Sequence, residues 1–187
     1  MPSLSVVTKD QRYFVYIGTY SREVSADSIH ICRFDPASTN LELIGSSSGL
    51  VNPAFLAVHP NRSFLYAVSD IGSDNANEGW VTSFRVDVET GLLTVLNRAS
   101  SGGGGGCHLA LDKTGRTLLV ANYFSGSIAA IPVQDDGRLG EPISLIRHYG
   151  SSVNRARQPS PHPHAVVISP DDQFILVPDL GLDGCAT

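Results

Sequence analysis

Apolar residues in this 187-residue chain fall in short runs rich in Val, Ile, Leu, Phe and Tyr, bounded by Gly, Pro, Asn, Asp or Ser. Residues 13–17, 64–68, 81–86, 118–121, 127–133 and 174–177 are clear examples. Such runs predict strands, because β-branched and aromatic side chains suit a pleated surface while Gly, Pro and Asn reverse the chain. No stretch of a dozen residues keeps an apolar stripe at i, i+3, i+4 and i+7, so helix is not expected. The pattern predicts an all-β fold.

The strands also recur. Residues 55–69 (FLAVHPNRSFLYAVS) lie over 108–122 (HLALDKTGRTLLVAN) and over 165–179 (AVVISPDDQFILVPD), at offsets of 53 and 57. Each copy is an apolar strand, a polar turn and a second apolar strand. An incomplete copy at 14–19 (FVYIGT) precedes residue 64 by 50 positions. A second unit repeats beside it: 29–35, 81–87 and 128–134, each followed by a turn and an apolar stretch at 41–44, 92–96 and 143–146. Two hairpins every ~50 residues make a four-stranded blade, and that period belongs to kelch-sized propeller repeats. A β-sandwich with chance similarity between hairpins is the alternative. The WD40 signature is missing, since the only tryptophan, Trp80, follows Gly79 and precedes no aspartate.

Composition narrows the class. Hydrophobic residues make up 42% and charged residues 17%, too apolar and too weakly charged for disorder. A net charge of -5 lacks the electrostatic footprint of a nucleic-acid binder. No apolar run approaches the ~20 residues of a membrane helix, so no membrane partner is expected. The first ten residues carry no basic segment followed by an apolar one, and secretion is not signalled. Cys32, Cys107 and Cys185 are odd in number and far apart, which reads as free thiols in a reducing compartment. A cytoplasmic chain is expected.

Tyr16-Ile-Gly-Thr-Tyr20, Phe64-Leu-Tyr-Ala-Val68, Cys107-His-Leu109, Val120-Ala-Asn-Tyr123, Gly137-Arg-Leu-Gly140, Arg157-Gln158, Pro161-His-Pro-His164 and Val177-Pro-Asp-Leu-Gly-Leu-Asp183 follow in order. That ordered series resembles the seven-bladed β-propeller lactonase family, whose assigned activity is 6-phosphogluconolactonase and whose relatives include carboxymuconate-lactonizing enzymes. The resemblance implies hydrolysis of 6-phosphogluconolactone to 6-phosphogluconate, a step of the pentose phosphate pathway, without a cofactor. Seven blades need ~350 residues, and this chain supplies about 3.5 blades. The expected organisation is a tail over 1–11, an incomplete propeller over 12–183 and a divergent end over 184–187, the N-terminal half of such a lactonase. A half ring exposes sheet edges and a blade face, so self-association is expected. A catalytically silent half-propeller serving protein association, or a lactone-forming cycloisomerase, are the alternative functions.

The repeat alignment also places candidate chemistry. Subtracting the offsets puts Ala54, Cys107 and His164 at one position, with Phe55, His108 and Ala165 next to it. The first strand of each propeller blade lines the channel, so residues at one end of these strands converge at its mouth. His162 lies two residues before His164, on an approach stiffened by Pro159, Pro161 and Pro163. His108, His162 and His164 are therefore the candidate catalytic residues, each suited to act as base or oxyanion donor near neutral pH. A phosphosugar lactone also needs a cation, and a guanidinium fits phosphate bidentately. Arg155 and Arg157 precede His162 in a loop and are the candidate phosphate readers, an ordinary solvated loop being the plain alternative. Arg147 and His148 lie further upstream. Asn122 and Tyr123 end the hairpin that begins at His108, where they either hold sugar hydroxyls or cap the strand. Where family members often carry a glutamate after the Arg-Gln pair, this chain has Pro159 and Ser160.

Other motifs carry less. The five glycines at 102–106 precede no phosphate-binding helix and read as a permissive loop. His162-Pro-His164 without a neighbouring carboxylate is a weak metal site, and no metal is expected. No Gly-x-Ser-x-Gly elbow occurs. Cys107 and His108 are strand neighbours and should point to opposite faces, which disfavours a Cys–His nucleophile pair.

Overall fold

Neighbouring residues of a strand point to opposite faces, and in this chain both faces of the middle strands find apolar partners. The computed structural model describes residues 13–20, 23–24, 26–70 and 78–186. The tail expected over 1–11 lies outside them. Among the described residues there are fourteen strands and no helix, in four antiparallel sheets.

The first sheet holds β1 (Tyr13–Gly18), β2 (Asp27–Asp35) and β3 (Asn40–Ser48). The second holds β4 (Pro53–Val58), β5 (Phe64–Ser69), β6 (Trp80–Val86) and β7 (Leu93–Ser100). The third holds β8 (Gly106–Leu111), β9 (Thr117–Asn122), β10 (Ser127–Pro132) and β11 (Ser144–Arg147). The fourth holds β12 (Val167–Ile168), β13 (Ile175–Asp179) and β14 (Gly184–Ala186). β1, β4, β8 and β12 touch in chain order, so the sheets follow one another as blades around an arc. β4–β5, β8–β9 and β12–β13 are the inner hairpins that the repeat predicts. By the same alignment β1 matches β5, so the first sheet carries the second, third and fourth strands of a blade. The last sheet carries the first, second and third.

Gly184–Ala186, within the end expected to diverge, pair with Val177–Asp179 as a third strand. A backbone edge left open by β13 is a ready template, and a short segment without proline can take it.

Packing explains why the middle strands read as continuous apolar runs. Leu65 and Ala67 of β5 pack against Ile29 and Leu50 of the first blade. Phe64, Tyr66 and Val68 of the same strand pack against Leu109, Leu118 and Val120 of the third. Leu119 and Ala121 then meet Val166 and Val177 of the fourth. Each large side chain buried in this way contributes roughly 1.5–3 kcal/mol. One turn is locked into the second interface: Tyr66 Oη and Ser83 Oγ both donate to the Gly137 carbonyl, at 3.2 and 2.6 Å. Gly137 has φ +85°, and a Cβ there would lie 2.3 Å from the Phe64 ring, so only glycine fits.

Candidate active site

The inner hairpins share an irregularity at one end. Pro53 faces Ser69 and Phe55 faces Val68, leaving Ala54 as a bulge. Gly106 faces Asn122 and His108 faces Ala121, leaving Cys107 as a bulge. In the fourth blade Pro163 faces Asp179, and the next residue, His164, donates its N–H to Pro178 O at 3.0 Å. The three residues that the repeat equates therefore occupy equivalent points, where a bulge re-aims side chains.

The glycine run brings the neighbouring turn close. Gly105 O accepts from Tyr123 N at 2.8 Å and Gly104 O from Phe124 N at 3.1 Å. A Cβ on Gly103 would lie 2.2 Å from Ser125 Oγ, and one on Gly105, which has φ +69°, 2.3 Å from the Phe124 ring. The run thus seats residues 123–125 and, through them, the Tyr123 ring. That ring stacks on His162, with centroids 4.4 Å apart and planes 9° from parallel, and meets His164 edge-on at 5.5 Å. His108 sits against Phe55, ring centroids 4.0 Å apart. Burial holds the His108 pKa below its ordinary value, and the nearby His164 lowers it further. The structure therefore brings His108, His162, His164 and Tyr123 together.

Backbone partners distinguish two of these rings. His162 Nδ1 lies 3.1 Å from Tyr123 O. A carbonyl only accepts, so this nitrogen carries a proton, and in the neutral ring Nε2 holds the lone pair. His108 Nδ1 lies 3.4 Å from Val166 N, an amide that only donates. Here Nδ1 holds the lone pair and Nε2 carries the proton.

Other predicted residues fall elsewhere. Asn122 is fully buried and its Nδ2 donates to Ser101 O at 2.9 Å. It braces the joint between the second and third blades, where Ser101, Gly103 and Gly106 pack around it. Arg155 and Arg157 are exposed, and neither guanidinium bonds to the histidines. Their loop is pinned by the buried Gln158, which accepts from Asn154 N at 2.9 Å and donates to Leu180 O at 2.9 Å. Cys107 and His108 do not point to opposite faces as expected. The bulge interrupts the alternation, and both reach toward the fourth blade, Cys107 Sγ lying 3.6 Å from Pro163 O and His164 O. Burial, with a contribution from Asp70, pushes the Cys107 thiol up to about 12, far from a thiolate nucleophile. Among the described residues no cluster of three or more His, Cys, Asp or Glu side chains could hold a metal.

Sequence reasoning missed Asp179. Its Oδ1 accepts from His162 N at 2.7 Å and Gly181 N at 2.9 Å, and its Oδ2 lies 2.6 Å from His148 Nδ1. The available signal was its place in the repeat, equivalent to Asn122 and Ser69, all three of them buried polar residues.

Residues 14–187 match the family described as lactonase, 7-bladed beta-propeller. A curated 6-phosphogluconolactonase from Bacillus subtilis is 31% identical over 172 residues, covering 92% of this chain and 48% of the relative. The crystal structure of a putative 6-phosphogluconolactonase from Bacteroides fragilis superposes with a TM-score of 0.85 at 30% identity, covering 98% of this chain and 48% of that one. The Pseudomonas aeruginosa periplasmic gluconolactonase superposes with a TM-score of 0.84 at 32% identity, covering 94% and 49%. The chain spans about half the length of these relatives.

Proposed function

The chain belongs to the seven-bladed β-propeller lactonase family, and on that premise we propose that it hydrolyses 6-phosphogluconolactone, with its histidine cluster forming one side of the channel mouth. The observation that carries this reading is the opposite protonation of His162 and His108 imposed by their backbone partners. Lactone opening needs both a base and a donor. The lone pair on His162 Nε2 takes a proton from water as its oxygen attacks the ester carbonyl. His108 Nε2–H donates to the oxyanion of the tetrahedral intermediate. Collapse breaks the bond to the ring oxygen, and the His162 imidazolium returns its proton to that leaving alkoxide. The lowered His108 pKa suits a ring that must stay neutral to remain a hydrogen-bond donor without charge. His164, exposed beside Tyr123, borders the same space.

Arg155 and Arg157, exposed on the loop pinned by Gln158, would meet the substrate phosphate. The absence of a cysteine pair supports a reducing, cytoplasmic setting. No helix among the described residues is long and apolar enough to cross a membrane.

Loss of lactone at neutral pH, followed against a buffer blank, tests the reading. The chain should exceed the blank, and His162→Gln should lower the excess by at least about a hundredfold. A rate equal to the blank, or one that His162→Gln leaves unchanged, would overturn it.

A further inference from the structure

Asp179 is a buried side chain with three hydrogen-bond partners beside the cluster. Its side chain is 2% exposed and that of His148 9%. A carboxylate this deep is costly unless it is paired and hydrogen-bonded, and here His148, His162 and Gly181 converge on its two oxygens.

The repeat shows that the fold does not require an ionisable pair at this joint. His148 follows β11 as Ser101 follows β7, and each donates its N–H to the carbonyl just before the third strand: His148 to Gly126 O at 2.9 Å, Ser101 to Gly79 O at 2.8 Å. Asp179 stands where Asn122 stands. In the earlier blade the joint closes with a neutral bond from Asn122 Nδ2 to Ser101 O, and Asn122 Oδ1 is left without a partner. In the later blade a titratable pair replaces it, and the atom it secures is the backbone nitrogen of His162.

We propose that His148 is a positioning residue that acts through Asp179 on His162, an inference that rests on reading His162 as the base. With Oδ2 held by the imidazole, the carboxylate cannot rotate, so Oδ1 stays on the His162 and Gly181 amides. The His162 backbone is thereby fixed beneath Tyr123, Nδ1–H stays on Tyr123 O, and the Nε2 lone pair keeps one direction. Orientation of this kind affects the chemical step rather than substrate capture.

The test compares His148→Ala, which lacks the donor, with His148→Asn, which offers an amide donor close to the place of Nδ1. Amide exchange at His162 and Gly181, the imidazole nitrogen shifts of His162, and kcat and KM for lactone hydrolysis are measured on the 187-residue chain. His148→Ala should speed exchange of both amides by about tenfold or more and let His162 sample both tautomers. It should lower kcat by about tenfold with KM within about twofold, and His148→Asn should restore most of each. Unchanged His162 exchange and tautomer in His148→Ala would overturn the proposal. If His148→Ala does not fold, His148→Leu is read the same way. If neither folds while His148→Asn folds with a mobile His162, the pair is structural only and the proposal fails. A parent chain without lactone turnover would remove the functional reading, while the His162 signals would still decide the positioning role.

Discussion

The Tyr123 ring lies flat on the His162 imidazole, and its own carbonyl receives the Nδ1 proton of that imidazole. One residue therefore sets both the plane and the tautomer of the proposed base. Tyr123→Phe keeps the ring and the carbonyl and should leave kcat within about threefold. Tyr123→Ala removes the stack and should lower kcat by at least about tenfold. Steady-state kinetics on both variants decide between stacking and a hydroxyl contact to substrate: equal losses would assign the work to the phenol oxygen.

A second prediction concerns acid. Burial and the neighbouring His164 depress the His108 pKa in the folded chain below its ordinary value of 6.5. The unfolded chain then binds the proton first as pH falls. The contribution of His108 to stability is complete above pH 6.5 and is lost as pH drops toward the folded value. NMR titration of the ring should give a midpoint below 6.5, and His108→Gln should flatten the dependence of stability on pH over that window. A midpoint at or above 6.5 would refute the assignment.

The substrate phosphate supplies a third. Arg157→Ala should raise KM for the phosphorylated lactone by about tenfold or more, and leave KM for an unphosphorylated lactone within about twofold. Equal effects on the two substrates would mean that the arginine does not read phosphate.

The strands and blade order were legible because the alternation is strong and the offsets repeat, and the same arithmetic aligned His164 with Cys107. For Asn122 sequence leaves sugar binding and strand capping equally open, since it cannot show that Ser101 and the glycine run pack around that side chain. The bulge at Cys107 was equally hidden: a single extra residue puts Cys107 and His108 on the same side without disturbing the apolar pattern. Asp179 is only the last residue of a repeat copy in sequence, and the packing of His148 against it reveals its load.

The fourth prediction follows from the ends of the arc. Phe174, Ile175 and Leu176 are 60%, 40% and 39% exposed on the last blade, and Tyr13 and Ile17 are 50% and 41% exposed on the first. Apolar surfaces of this kind seek cover. Light scattering on the 187-residue chain should give a mass above the 19.9 kDa of one copy. A monomer at working concentrations would show that these faces tolerate water.

The bulge at the start of each inner hairpin makes this end of the arc programmable. It presents one side chain per blade from a fixed backbone socket, and the three sockets seen here hold Ala54, Cys107 and His164. Because the ladder on either side is closed by main-chain bonds, the occupant can be exchanged without rewriting the blade. A designer could therefore treat such a ring as a keyboard, altering one blade at a time, with Ala54 as the vacant key.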